Sequence, residues 1–306
     1  MVFAITLALV VPAASQSAPL SEPSTFSSRR LAAEKLIRES GAEVSVAYRR
    51  LDHSEEWMHE ADKLYHAAST MKVPVMVELF RQAAEGKLTL SDELEIRNEF
   101  KSVVDGSPYS MDFGEDSDDT VYQNAGKTMT LEALNFQMIT VSSNFAANLL
   151  IDRLGVKNVR ATVEALGAYG LEVRRGVEDQ KAFDQGIINE TSARGLFILL
   201  DALAGGAAVS KSASDQMVEV LARQKFNDGI PKGLPPGTRV AHKTGTITRI
   251  HHDAGIIYGP HPAVLVVLTR GIETEAESDA LIARITKALF PWTAGPFASP
   301  SPPLLP

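Results

Sequence analysis

Ser69-Thr70-Met71-Lys72-Val73-Pro74-Val75-Met76-Val77-Glu78-Leu79-Phe80-Arg81-Gln82-Ala83-Ala84 is the stretch on which the architecture turns. From Met71 onward it carries Val73, Val75, Val77, Leu79 and Phe80, and this apolar density predicts a buried helix over 71–84. Pro74 falls in the first turn of that helix, where a missing N–H costs little. Ahead of it, Glu43 to Leu51 alternates Val44, Val46 and Tyr48 against polar neighbours, which is the pattern of a strand, and Asp52-His53-Ser54 reads as a turn into a second strand around Trp57. An amphipathic helix, Ser28 to Arg38, precedes both.

Beyond the buried helix the periodicity stays helical. Leu131 to Leu154, Val156 to Leu166 and Ser192 to Leu203 read as helices, the last ending before Gly205-Gly206. Val103 to Gln123 is acidic and polar; its spacing does not match a calcium loop, and a solvated insertion is expected. After residue 230, Thr238–Lys243, Ala254–Tyr258 and Ala263–Thr269 read as strands bounded by Gly and Pro, and Glu275 to Leu289 as a closing helix. Strands at both ends thus bracket a helical middle. The expected fold is mixed α/β: an antiparallel sheet built from both termini, with an inserted all-α subdomain and a cleft between them. The expected division is 28–66 plus 206–290 for the α/β subdomain and 67–205 for the helical one.

Val2 to Val11 is apolar and leads into Pro12-Ala13-Ala14-Ser15-Gln16-Ser17-Ala18, so 1–18 has the h-region and small-residue zone of a signal peptide, although no Lys or Arg precedes it. Secretion or a periplasmic location is the expectation, and the Pro-rich 291–306 is expected to be a disordered tail. A net charge of -8 without a basic stripe argues against nucleic acid, and no stretch is long and apolar enough for a membrane span. The absence of cysteine excludes disulfides, thiol nucleophiles and thiolate metal sites. His251-His252-Asp253 lacks metal-ligand spacing, so neither metal nor cofactor is expected; a monomer is.

Three short motifs carry chemistry. Ser69 and Lys72 stand three apart at a helix start, so the lysine amine can reach the serine hydroxyl, and burial would lower its pKa until it serves as a base. Lys243-Thr244-Gly245-Thr246 ends a strand; Lys and Thr there can bind a substrate carboxylate, and the Thr246 N–H can form an oxyanion hole with that of Ser69. Ser142-Ser143-Asn144 offers a hydroxyl, Ser142, to pass a proton to a leaving nitrogen and a carboxamide, Asn144, to bind a substrate amide. Each alone has a plain structural reading, as a cap, a turn or a helix break.

Taken in order, Ser-x-x-Lys, Ser-x-Asn and Lys-Thr-Gly resemble the signature of class A serine β-lactamases and penicillin-binding proteins. The resemblance runs from about residue 28 to residue 290 and includes Val240-Ala241-His242 before the third motif and Ala146-Ala147-Asn148-Leu149 after the second. It implies a five-stranded antiparallel sheet beside a helical domain, and a β-lactam as the small-molecule substrate. Two departures stand out. Ser143 occupies the place where the family usually has Asp. The family's deacylating Glu corresponds to Glu178, but the Asn expected four residues later is Ala182. Arg249 is a candidate second cation for the substrate carboxylate, or an exposed hairpin charge.

The expected activity is β-lactam hydrolysis through an acyl-enzyme on Ser69. The alternatives are a D-Ala-D-Ala peptidase or esterase, which needs no deacylating Glu, and a module that is acylated without turnover.

Overall fold

The computed structural model describes residues 25–290; the expected leader at 1–18 and tail at 291–306 lie outside the described residues. Helix α1 (Phe26–Ser40) leads into strands β1 (Glu43–Arg50) and β2 (Glu56–His59). Helices α2 (Lys72–Ala84), α3 (Leu131–Thr140), α4 (Asn144–Leu154), α5 (Val156–Ala165), α6 (Gln180–Asp184), α7 (Ala193–Ala204) and α8 (Lys211–Leu221) follow. The chain closes with β3 (Val240–Ile247), β4 (Ile250–Ile257), β5 (Ala263–Arg270) and α9 (Glu275–Leu289).

The sheet is five-stranded and antiparallel, in the order β2-β1-β5-β4-β3. Its central strand β5 is buried from Ala263 to Thr269, because both faces are covered. One face, with Val44, Val46, Tyr48, Leu265 and Val267, packs on α1 and α9. The other, with Ala47, Val264, Val266, Leu268 and Ile256, packs on the helical layer around α2. The two-residue periodicity of a strand sends alternate side chains into these two cores. Helix α2 is buried at Lys72 through Phe80, as its composition predicts.

Three expectations change. The helix read from 131 to 154 is two helices, broken at 141–143, where Ser142 is left-handed (φ 62°) and the Ser143 hydroxyl caps α4 by accepting the Ala146 N–H at 3.2 Å. Helix α8 is additional. The acidic insertion is more than a solvated loop, since Met111 and Val121 are buried in the helical core and Asp116 reaches α4. Among the described residues no helix is long and apolar enough to cross a membrane.

Candidate active site

Edge strand β3 runs beside the short 3-10 turn Ala68–Met71 that feeds α2. Gly245 makes this approach possible. A Cβ there would stand 3.1 Å from the backbone nitrogens of Ser69 and Thr70, so any larger residue would require strand and turn to move slightly apart. The turn itself is strained at Ala68 (φ 46°), whose N–H donates to His66 Nδ1 at 3.0 Å. Burial, with the Arg175 cation adding to it, lowers the His66 pKa to about 4, so the ring stays neutral and able to accept at neutral pH.

Ser69 is half-buried and Lys72 is fully buried. The Lys72 Nζ lies 3.1 Å from Ser69 Oγ, 2.8 Å from Asn144 Oδ1 and 3.3 Å from Ser142 Oγ, and it also donates to the Ser142 carbonyl. An ammonium has three protons for these four neighbours, whereas a neutral amine has a lone pair to take the serine proton. Burial pulls the Lys72 pKa down to about 7, against the upward pull of Asp116 and Glu178. Lys243, buried in β3, donates to the same Ser142 Oγ at 2.9 Å and to the Thr244 carbonyl at 2.8 Å. Burial and the neighbouring Lys72 hold Lys243 well below the ordinary lysine range. One hydroxyl on a left-handed residue therefore bridges two buried amines.

The acidic insertion contributes a carboxylate that sequence reading missed. Asp116 accepts the N–H groups of Asn144 and Phe145, each at 2.9 Å, and the Ser143 hydroxyl at 3.2 Å. A carboxylate on the exposed N–H groups of a helix N-terminus satisfies donors that have no intrahelical partner and offsets the helix dipole. The Asp missing at position 143 is replaced from a distant segment. Only the density of acidic residues at 112–119 hinted at it.

Glu178 hangs on the loop 173–189, also left-handed (φ 62°). Asn189 ties the loop's ends by accepting the N–H groups of Arg174 and Arg175 at 2.7 and 3.1 Å. Asn148 of α4 pins Val177 through both its carboxamide atoms, at 2.7 and 2.8 Å. Asp179 accepts the Val103 N–H at 2.9 Å and caps α6. Glu178 accepts the Asp112 N–H at 2.9 Å and lines a cavity of about 450 Å³ together with Ser69, Asn144 and Thr246. Ala182 is buried within α6, and Gln180 lines this cavity instead.

On the other side of Ser69, a cavity of about 230 Å³ is lined by Ser142, Asn144, Thr244, Thr246 and Glu275. The Thr246 hydroxyl donates to Glu275 at 2.8 Å. Arg249 is not brought here. It sits left-handed (φ 59°) at the β3–β4 hairpin tip, paired with Glu273 at 3.1 Å and donating to the Gly271 carbonyl. His252 and Asp253 have other work: His252 Nε2 lies 3.0 Å from the His66 carbonyl and Asp253 pairs with His242 at 2.8 Å.

A half-buried serine beside a buried lysine, with a second buried lysine reaching it through the Ser142 hydroxyl, in a cleft between a sheet edge and a helical layer, is an arrangement that could support nucleophilic acyl transfer. The sequence model of the beta-lactamase enzyme family matches residues 29–292, and the chain belongs to that family. A beta-lactamase of Rhodobacter capsulatus is 31% identical over 121 residues, which is 40% of this chain and 37% of that one. Over whole folds, a beta-lactamase from Sphaerobacter thermophilus superposes with a TM-score of 0.74 at 25% identity, covering 86% of this chain and 96% of the other. PBP-A shares the fold at a TM-score of 0.72 and 24% identity, over 86% and 94% of the two chains.

Proposed function

We propose that the chain hydrolyses β-lactams through an acyl-enzyme on Ser69. Neutral Lys72 takes the Ser69 proton as Oγ attacks the lactam carbonyl carbon, and the tetrahedral oxyanion collapses with loss of the C–N bond. Ser142 gives its proton to the departing nitrogen and is reprotonated by Lys72 or Lys243, both in hydrogen-bond reach. Glu178 then takes a proton from water as the water oxygen attacks the acyl carbon, and as the ester C–O bond breaks that proton passes to Ser69 Oγ, leaving Glu178 ionised and Ser69 a hydroxyl again. The observation that carries the reading is the fully buried Lys72 amine 3.1 Å from Ser69 Oγ with its pKa lowered to about 7. Export through the apolar N-terminal segment, and action as a monomer outside the cytoplasm, belong to the same proposal.

One observation favours a second reading, a D-Ala-D-Ala peptidase or esterase, or a module that remains acylated. The position four residues after Glu178 is a buried alanine with no group to hold a water. A chromogenic cephalosporin followed by absorbance and intact mass separates them. Sustained turnover, lost by roughly 10⁴-fold in Ser69→Ala, is expected for the lactamase. A single burst with a lasting adduct supports the second reading, and no adduct at all sinks both.

A further inference from the structure

The loop that carries Glu178 leans on the insertion at 98–112. The Val103 N–H donates to Asp179 Oδ2 at 2.9 Å, and the Lys181 amine reaches Asp105 at 2.9 Å and the Ser107 hydroxyl at 2.7 Å. Gly176 passes so near Tyr109 that a Cβ there would stand 2.5 Å from the phenol oxygen. These contacts hold the loop on both sides of Glu178. A different one addresses the carboxylate itself: the Asp112 N–H donates to Glu178 Oε2 at 2.9 Å.

The aim of that N–H is set by the peptide it belongs to. Asn98 pairs with both backbone groups of Met111, donating through Nδ2 to its carbonyl at 2.9 Å and accepting its N–H through Oδ1 at 2.7 Å. The Met111 side chain is buried in the helical core, where its sulfur accepts from Asn148 Nδ2 at 2.8 Å. The Met111 carbonyl and the Asp112 N–H share one planar trans peptide and point in opposite directions. By fixing the carbonyl, Asn98 therefore turns the N–H toward Glu178. The Asp112 side chain has a separate task, capping the short 3-10 turn Phe113–Glu115 by accepting the Gly114 N–H through Oδ1 at 2.8 Å.

A general base must keep one oxygen turned toward the proton it takes. Ala182 offers no carboxamide to hold Glu178 in that pose, and Gln180, which lines the same cavity, donates to Asp184 at 2.6 Å. A backbone N–H on the carboxylate fixes its rotation and favours its ionised form, the form that accepts a proton. We propose that the Asp112 N–H, aimed by the positioning residue Asn98, orients Glu178 for deacylation in place of the carboxamide that position 182 lacks.

This rests on the reading of Glu178 as the deacylating base. The test forms the Ser69 adduct of a penicillin by rapid mixing and follows its loss by quenched intact mass. Wild type, Asp112→Pro, Asp112→Ala, Asn98→Ala and Glu178→Gln are compared, with thermal melts to confirm folding. The proline and alanine variants lose the same side chain, and only the proline loses the N–H. Adduct loss should be about tenfold slower in Asp112→Pro than in Asp112→Ala, with their acylation rates within a few-fold of each other. Asn98→Ala should slow adduct loss by a smaller factor. In Asp112→Pro the acid limb of adduct loss should also move to higher pH, because a carboxylate without its donor holds a proton longer, a shift that loosening of the turn alone would not produce. Proline and alanine variants that lose the adduct alike, or an unmoved acid limb, overturn the inference while leaving Glu178 as the base. A wild-type adduct that persists, or one whose loss Glu178→Gln leaves unchanged, removes Glu178 from deacylation and this inference with it. If no Ser69 adduct forms, the acyl-transfer reading falls and takes both with it.

Discussion

Ser69, Lys72, Ser142 and Lys243 are carried by a helix start, a helix break and a sheet edge, all pressed between packed cores, whereas Glu178 hangs on a loop closed by carboxamide contacts. The first set is held by burial of its neighbours. The second is held by polar contacts that one substitution can undo, and a loop of that kind can lose its geometry while the rest of the fold stays intact. On the proposed mechanism, acylation and deacylation should therefore be separable by mutation. Three left-handed residues at the site follow the same division: Ala68 and Ser142 are strained within the rigid half, and Glu178 within the loop.

The largest effect should come from Lys72→Met, which removes the base from the rigid half. Acylation should fall by roughly 10³-fold with the adduct still forming slowly, read by quenched mass spectrometry. In the wild type the acylation rate should rise with pH and level off above about 7, where the Lys72 amine is neutral; a flat profile would remove Lys72 as the base. Next, Glu178→Gln should slow deacylation by roughly 10²-fold while leaving acylation within a few-fold, so that adduct accumulates. Equal losses in both steps would erase the separation between the halves. The smallest effect is expected for Asp116→Asn, about tenfold in acylation, with roughly 1 kcal/mol lost from stability as the α4 cap weakens. Adding Ser143→Asp should restore most of the rate, because a carboxylate would again face the same N–H groups. Failure of that rescue in a folded double variant would confine Asp116 to a structural role.

The order of elements and the three motifs were legible because they rest on local periodicity and short spacings. Lys72 beside Ser69 follows from helical geometry alone. Asp116 was not legible, because its partners are 27 to 29 residues away and an acidic run reads as solvated. The break at Ser142 was hidden inside an otherwise helical pattern, since a single left-handed serine leaves no compositional mark. Arg249 was left open between two readings for a related reason: a hairpin tip can aim a side chain either way, and in the fold it pairs with Glu273 at the tip. Helix α8 did carry a signal, with Ala213, Met217, Val218 and Leu221 at helical spacing and Ser210 as cap.

The two amines sharing the Ser142 hydroxyl also tie folding to reactivity. In the folded chain Lys72 loses its proton at about pH 7, and Lys243 too is held below its ordinary range. In an unfolded chain both would stay charged to about pH 10.4. Between those limits the unfolded state binds more protons, so stability contributed by these groups rises with pH across that window and is lowest below it. Relative to Lys72→Met, the wild-type thermal midpoint should therefore climb between pH 7 and pH 10. On the proposed mechanism the two effects meet near pH 7 from opposite sides: the stability these groups contribute is already lost by the time pH has fallen to about 7, and below that pH the protonated Lys72 no longer serves as a base.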